Sequence, residues 1–512
     1  MYFKRRFFSL LQLSIFKRRF YHISFLKINW ETKIRLCRIS LEGASVVTSI
    51  EEAKRKIEDA SLRANKLEKP QFVSIVKQIA QFDPLSVYYN GRHLYEGKRF
   101  FWKDAYEPFY LVGFDYAHII EKNKGRDRFK YVEEEWKRFI EGVKENKTPF
   151  GTGNLLFGGF SFHPYQKEDN LWASFPVSRF YVPKVLFTSY NNEAFITFNR
   201  YIKQGESVED IIKEMEHIEE TFLASDILPS QVYERNAVQH EVAPEEWKRA
   251  VKHATEQIRS GEIEKVVLAR ELQVTFHEKI WSEYALSRLL EEQNLSYIFA
   301  VEQDSQCFIG ASPERLVKSV DGEVFSTCLA GSIPRGHSAE EDEKLGEELL
   351  NDEKNLFEHK LVVNMIEKAM KETCLNVYAP EHPTLYKVKH IQHLYTPIKG
   401  KAKEGTTLFE LVEKLHPTPA LGGYPKEESV EVLEKLEVFE RGWYAAPIGW
   451  LDGDGNGEFI VGIRSALLRG HEASLFAGCG IVGDSDPQSE YEETKTKFKP
   501  MLSALGGMNN DK

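Results

Sequence analysis

Strand-like and helical patterns do not alternate along this chain, and this constrains its fold more than any other feature. Aromatic and β-branched runs bounded by Gly, Pro and Asn crowd residues 85–200, among them Leu155 to Phe162 and Ala194 to Phe198. Helical spacing is read from Ser49 to about Asp83, over 207–223, and from Glu245, where Trp247, Val251, Ala254 and Ile258 repeat until Gly261. It returns as one long helix over about 340–372, then near 427–437 and over about 487–505. Strands fall between these at 265–274, 297–301, 307–310 and near 386–396, with a hairpin at 458–482. A doubly wound parallel sheet needs regular strand–helix alternation, so the order predicts an α+β fold with antiparallel sheets.

Charge is distributed unevenly. The 512 residues carry a net charge of −10, which argues against a general nucleic-acid binder. Residues 1–50 hold ten Lys and Arg against Glu31 and Glu42, a local +8 that leaves −18 on the remaining 462. The basic-aromatic leader 1–46 is read as residues upstream of the true start, with Val46 or Val47 suiting an alternative start codon. A transit peptide is the other reading. No apolar run reaches about 18 residues, so no membrane span is expected. Five scattered cysteines without a C-x-x-C pair predict a reducing compartment and no structural zinc. The polar segment 224–244 marks a boundary between an N-terminal subdomain, 47–235, and a catalytic region, 236–507.

Two motifs imitate known sites. Asp452-Gly453-Asp454-Gly455-Asn456-Gly457 begins like a calcium loop, but Ile463 stands where the bidentate Glu is needed, so a hairpin turn is expected. Gly478-x-Gly480-x-x-Gly483 begins like a dinucleotide fingerprint, but only 29 residues follow and no second strand can form.

The last helix carries charge where a core-facing stripe belongs. At about 100° per residue, Glu490, Glu493, Lys497, Met501 and Leu505 fall within a stripe roughly 120° wide. On the long helix, Glu358 shares a face with Leu361, Val362 and Met365. Inward carboxylates without a Cys or His set suit a hard, oxygen-ligated cation such as Mg2+. The same spacing also fits a solvated face with an ordinary Glu493–Lys497 pair.

Ten segments follow one another in an order that resembles the chorismate-utilising enzyme family, over about 250 residues. They are Lys265 to Arg270, Gly310 to Glu314, Leu329 to Ser332, Glu358-His359, Gln392-His393-Leu394 and Leu415 to Gly423. Tyr444 to Trp450, Ile463 to Ala466, Ala477 to Val482 and Glu490 to Lys497 complete the set. Within the family the chain is most similar to isochorismate synthases, and Asp83 to Ser86 with Phe100-Phe101-Trp102 resembles the menaquinone-pathway type.

The resemblance implies stacked antiparallel sheets flanked by helices around a Mg2+-dependent chorismate site. It implies Glu358 and Glu493 as metal ligands, with Glu490 as an outer-shell carboxylate. Arg464 and Lys497 would hold substrate carboxylates; Gly331, Gly478 and Gly480 would let backbone N–H groups approach them, with Ser332 beside Gly331. His393, Ala420 and Tyr444 would line the ring pocket. Lys265 matches the family's base and Glu314 its acid. As a base, Lys265 must fall from about 10.4 toward ~7–8, a shift costing roughly 4 kcal/mol, while Glu314 must rise to stay protonated. The expected enzyme is a cytoplasmic monomer acting on chorismate with water, with no glutamine amidotransferase subunit. Salicylate synthases share nearly all these residues and remain an alternative, as does a catechol-siderophore pathway. Pro397-Ile398-Lys399-Gly400 resembles the aminodeoxychorismate synthase motif but stands in the wrong place.

Overall fold

The computed structural model of the protein describes residues 49–143, 147–165, 171–224, 237–389 and 391–507. The leader, Cys37 and the boundary at 235 lie outside them. Twenty strands among the described residues join into one hydrogen-bonded network, and its pairings are antiparallel. Strand Arg99–Lys103 illustrates how the layers arise, because successive side chains on a strand point to opposite faces. Phe100 and Trp102 enter one core with Phe157, Tyr181 and Phe459, whereas Phe101 enters another with Val112, Leu272 and Leu475. Helices cover the outer faces, which is the expected α+β architecture.

The two halves of the chain share this sheet. Arg99–Lys103 pairs with Phe109–Lys122 on one side and Tyr297–Gln303 on the other, and Leu155–Phe160 pairs with Pro447–Asp452. Farther along, Lys265–Thr275 pairs with Glu472–Ile481 over ten residue pairs. Helix Pro487–Ala504 packs on the latter strand, and helix Glu353–Thr373 packs on strand Glu323–Pro334. These contacts bring the segments with charged inner faces together.

Several sequence expectations need correction. The first helix spans only Ile50–Leu67; Glu68 turns left-handed at φ 54°, Pro70 prevents continuation, and Gln71–Ile79 becomes a strand. Residues 85–200 are not all strands, since Arg128–Gly142 is a helix burying Phe129, Val132, Trp136 and Phe139. That i, i+3, i+7 spacing was present, but its aromatics read as strand formers. The long helix over 340–372 is two helices, Ala339–Asn351 and Glu353–Thr373. Asp352 breaks it by taking an extended conformation and capping the second through the Asn355 N–H. The hairpin is Ser465–Arg469 with Glu472–Ile481; strand Gly457–Val461 pairs instead with Pro447–Asp452 and Arg315–Val320. The calcium-like sequence forms the turn of that other hairpin, where Asp452 Oδ1 accepts the N–H groups of Asp454 and Asn456.

A buried ionic cluster fastens the shared sheet. Arg99 Nε and Nη2 donate to the two oxygens of Glu302 at 2.8 and 2.6 Å, while Nη1 donates to Glu283 Oε1 and the Tyr88 carbonyl, each at 2.8 Å. Arg99 and Glu283 are 1% and 0% exposed. Arg99→Met would strip Glu302 of its cation and leave Glu283 only Arg92 at 4.0 Å, and is expected to lower unfolding stability by about 3–5 kcal/mol. Denaturant unfolding measures this, and a loss below about 1 kcal/mol would remove the cluster from the account.

Candidate active site

The fourteen residues named from the sequence all line one cavity of about 210 Å3. Strand Lys265–Thr275 brings Lys265 from one side, and strand Glu472–Ile481 carries Gly478 and Gly480 beside it. Helix Glu353–Thr373 contributes Glu358, and helix Pro487–Ala504 contributes Glu490, Glu493 and Lys497. Loops and strand ends supply Glu314, Gly331, Ser332, His393, Ala420, Tyr444 and Arg464.

Lys265 is 3% exposed, and its Nζ donates to Glu358 Oε2 at 3.0 Å. The glycine at 480 serves this side chain first: a Cβ there would stand 2.8 Å from Lys265 Cε and 3.3 Å from Glu358 Oε2. At Gly331, φ of +82° explains the residue type without reference to a ligand.

Glu314 follows strand Gln306–Ser312, where Ser312 Oγ accepts its N–H and its carbonyl accepts the Val461 N–H. Burial pushes its carboxyl up to about 8, with the charges of Arg464 and Lys265 pulling the other way. Arg464 sits in the left-handed region at φ 51°, a conformation uncommon for a side-chain-bearing residue and frequent at functional sites. Its guanidinium makes no hydrogen bond or ion pair among the described residues, which leaves its N–H fork for an anion.

His393 Nδ1 shares a hydrogen bond with Ser332 Oγ at 2.7 Å, and its buried Nε2 has no partner among the described residues. Burial, then Arg464 and Lys497, hold the imidazole well below its ordinary range, so it is neutral. Tyr444 stacks on Phe476 with centroids 5.2 Å apart and closes the apolar wall.

The carboxylates occupy distinct settings. Lys497 donates to Glu493 Oε1 at 2.7 Å and to the Gly478 carbonyl at 2.8 Å. Burial opposes the charge of Glu493, but Lys497 and Arg464 outweigh it and hold the carboxyl below its usual range. Glu490 is buried, and burial first, then the neighbouring Glu493, raises its carboxyl. No group of three or more His, Cys, Asp or Glu side chains among the described residues surrounds a common point. That excludes a dedicated protein cage but not a hard cation, since Mg2+ takes one or two carboxylates and keeps water or substrate oxygens. The chemistry of these donors, all oxygen and two of them charge-balanced by lysines, fits such an ion.

Sequence reasoning missed Lys354, Asn355 and Arg441, which also line the cavity. Lys354 precedes Glu358 by one helical turn, a spacing that could have shown it. Arg441 carried a weaker signal, its i,i+4 spacing from Glu437. Lys399, in the misplaced motif, lies exposed on strand Ile391–Ala402. Cys307, Cys328, Cys374 and Cys479 are free and buried, and no helix among the described residues is long and apolar enough to cross a membrane.

An α+β fold closing on a cavity with this mix of cations and carboxylates is the architecture of an enzyme that binds a small anionic substrate. The chain belongs to the chorismate binding enzyme family, whose model matches residues 55–506. It is 44% identical over 472 residues to isochorismate synthase MenF of Bacillus subtilis, covering 90% of this chain and 99% of the relative. It is 33% identical to the salicylate biosynthesis isochorismate synthase of Pseudomonas aeruginosa, covering 87% and 93%. The solved structure of MenF from Escherichia coli shares the fold, with TM-score 0.72 and 22% identity over 88% of this chain and 99% of that one.

The raised Glu314 has a thermodynamic consequence. Between about pH 4.3 and 8 the folded protein keeps a proton that the unfolded chain has released, so stability falls as pH rises, by up to about 1.4 kcal/mol per unit. Glu314→Gln removes this dependence. The variant is expected to resist denaturant better than wild type at pH 8, by a margin that shrinks toward pH 5. An equal margin at both pH values would contradict the raised carboxyl.

Proposed function

We propose that this chain is an isochorismate synthase that adds water at C2 of chorismate with loss of the C4 hydroxyl. The observation that carries this reading is Lys265 and Glu314 at one cavity, electrostatically coupled, with Glu314 held protonated at neutral pH. Arg464 and Lys497 are the cations for the two substrate carboxylates, and Arg464 offers the bidentate geometry. Lys265, as the neutral amine, takes a proton from water while the water oxygen bonds to C2. The ring double bonds shift, the C4–O bond breaks, and Glu314 gives its proton so that the hydroxyl departs as water. Lys265 gains one proton and Glu314 loses one, and exchange with solvent restores both.

Glu358 and Glu493 would hold Mg2+, with Glu490 behind them, and the bound ion supplies positive charge that neutralises and orients a substrate carboxylate. Water as the nucleophile requires no ammonia-supplying amidotransferase subunit, and the reading is of a cytoplasmic monomer. Identity with the Bacillus subtilis enzyme extends over 99% of that enzyme, N-terminal half included, which supports the menaquinone pathway over a catechol siderophore.

Purified protein incubated with chorismate and Mg2+ is expected to yield isochorismate. Salicylate with pyruvate would assign a salicylate synthase, and unchanged chorismate would overturn the reading. Lys265→Ala should lose turnover by about 10²–10⁴ while still binding chorismate. A near-normal rate in that variant would remove Lys265 from the chemistry.

A further inference from the structure

Arg441 lines the same cavity as Lys265 and Ala420, yet no step above employs it. Its side chain is 1% exposed and makes four hydrogen bonds. Nε and Nη2 clasp the two oxygens of Glu437 at 2.8 and 2.6 Å. Nη1 donates to the Leu421 carbonyl at 2.8 Å, and Nη2 also donates to the Val267 carbonyl at 2.5 Å. Glu437 Oε1 in turn accepts the Ala269 N–H at 2.8 Å. The guanidinium lies 4.3 Å from the Phe162 ring centroid, which limits its movement on that side.

These partners belong to two pieces of backbone. Val267 and Ala269 lie in the strand that carries Lys265, on the same face of it. Leu421 follows Ala420 in the loop after helix Leu408–Leu415. The two pieces pair directly where Glu264 N–H meets the Tyr424 carbonyl, where Gly423-Tyr424 lies against Lys265-Val266, and where Val267 N–H meets the Gly422 carbonyl. Beyond that point the carbonyls of Val267 and Leu421 are both acceptors, and neither can satisfy the other. Arg441 supplies the donors between them. Its planar fork fixes their separation, and Glu437 fixes the fork.

We propose that the Arg441–Glu437 pair is a positioning clamp that sets the gap between Lys265 and Ala420, and with it the place where the attacking water stands. This rests on the isochorismate synthase reading. In the reading above the substrate carboxylates are held elsewhere, by Arg464 and Lys497, so loosening the clamp displaces the nucleophile far more than it weakens binding, even with Ala420 at the ring pocket. A lysine at 441 keeps the charge but cannot reach Glu437 and both carbonyls in one plane.

Steady-state kinetics of Arg441→Lys test the clamp. Misplacing a reacting group by about 1 Å costs on the order of 100-fold, so kcat should fall by about 30–100-fold with KM for chorismate within about threefold of wild type. A folded Arg441→Lys enzyme with kcat within about twofold of wild type would overturn the proposal, as would kcat and KM worsening together. Glu437→Gln keeps the shape and weakens the hold, so it serves where the first variant does not fold. It should lower kcat by about fivefold or more at unchanged KM, and an unchanged kcat overturns the proposal. Wild-type turnover of chorismate is the control: an error in the functional reading shows as an inert or differently acting wild type, an error in the clamp as variants that match an active one.

Discussion

In the cavity Lys265 Nζ donates to Glu358 Oε2 at 3.0 Å, with side-chain exposures of 3% and 12%. Polar groups this far from solvent are tolerated only when hydrogen-bonded, because their desolvation would otherwise go uncompensated. The pair therefore fixes how strand Lys265–Thr275 lies against helix Glu353–Thr373. It also dictates glycine at 480, where any Cβ would meet the lysine chain. Around it the cavity keeps a second pair, Lys497 with Glu493, together with a guanidinium left free at Arg464 and a protonated acid at Glu314. The cavity thus sets two lysine–glutamate pairs beside a cation without a carboxylate partner among the described residues, an arrangement that suits an anionic ligand.

Burying Glu314 works against folding at neutral pH, and the scaffold offsets it elsewhere. The sheet that carries the site is shared between both halves of the chain, stacked on two aromatic-rich cores and fastened by Arg99 between Glu283 and Glu302. Rigidity of that kind allows a carboxyl to be held protonated and a residue such as Arg464 to remain left-handed. The carboxyl is raised by its surroundings, and its surroundings are made possible by the sheet.

The fold class was legible in the order of strands and helices, and so was the set of residues that line one cavity. Glu358, Glu490, Glu493 and Lys497 share helical stripes with apolar residues, and motif order added Lys265, Glu314, Arg464 and the glycines. Helices with clean periodicity, such as Pro244–Ser260 ending at Gly261, were legible for the same reason. Helix Arg128–Gly142 was not, because Phe129, Trp136 and Phe139 favour strands when considered singly and packing overrides that preference. The break at Asp352 was missed because a single capping residue interrupts an otherwise continuous apolar stripe. Arg441 was legible only in its i,i+4 spacing from Glu437; its other partners are carbonyls of residues 20 and 174 positions away, which no local pattern encodes.

The central claim is that solvent water, placed by Lys265, becomes the C2 hydroxyl while the C4 hydroxyl departs. Turnover of chorismate in water enriched in oxygen-18, followed by mass analysis of the product, tests it most directly. The account predicts one heavy oxygen per isochorismate, located at C2. Product without the label would mean that the original hydroxyl migrates within the molecule, and would contradict the roles given to both Lys265 and Glu314.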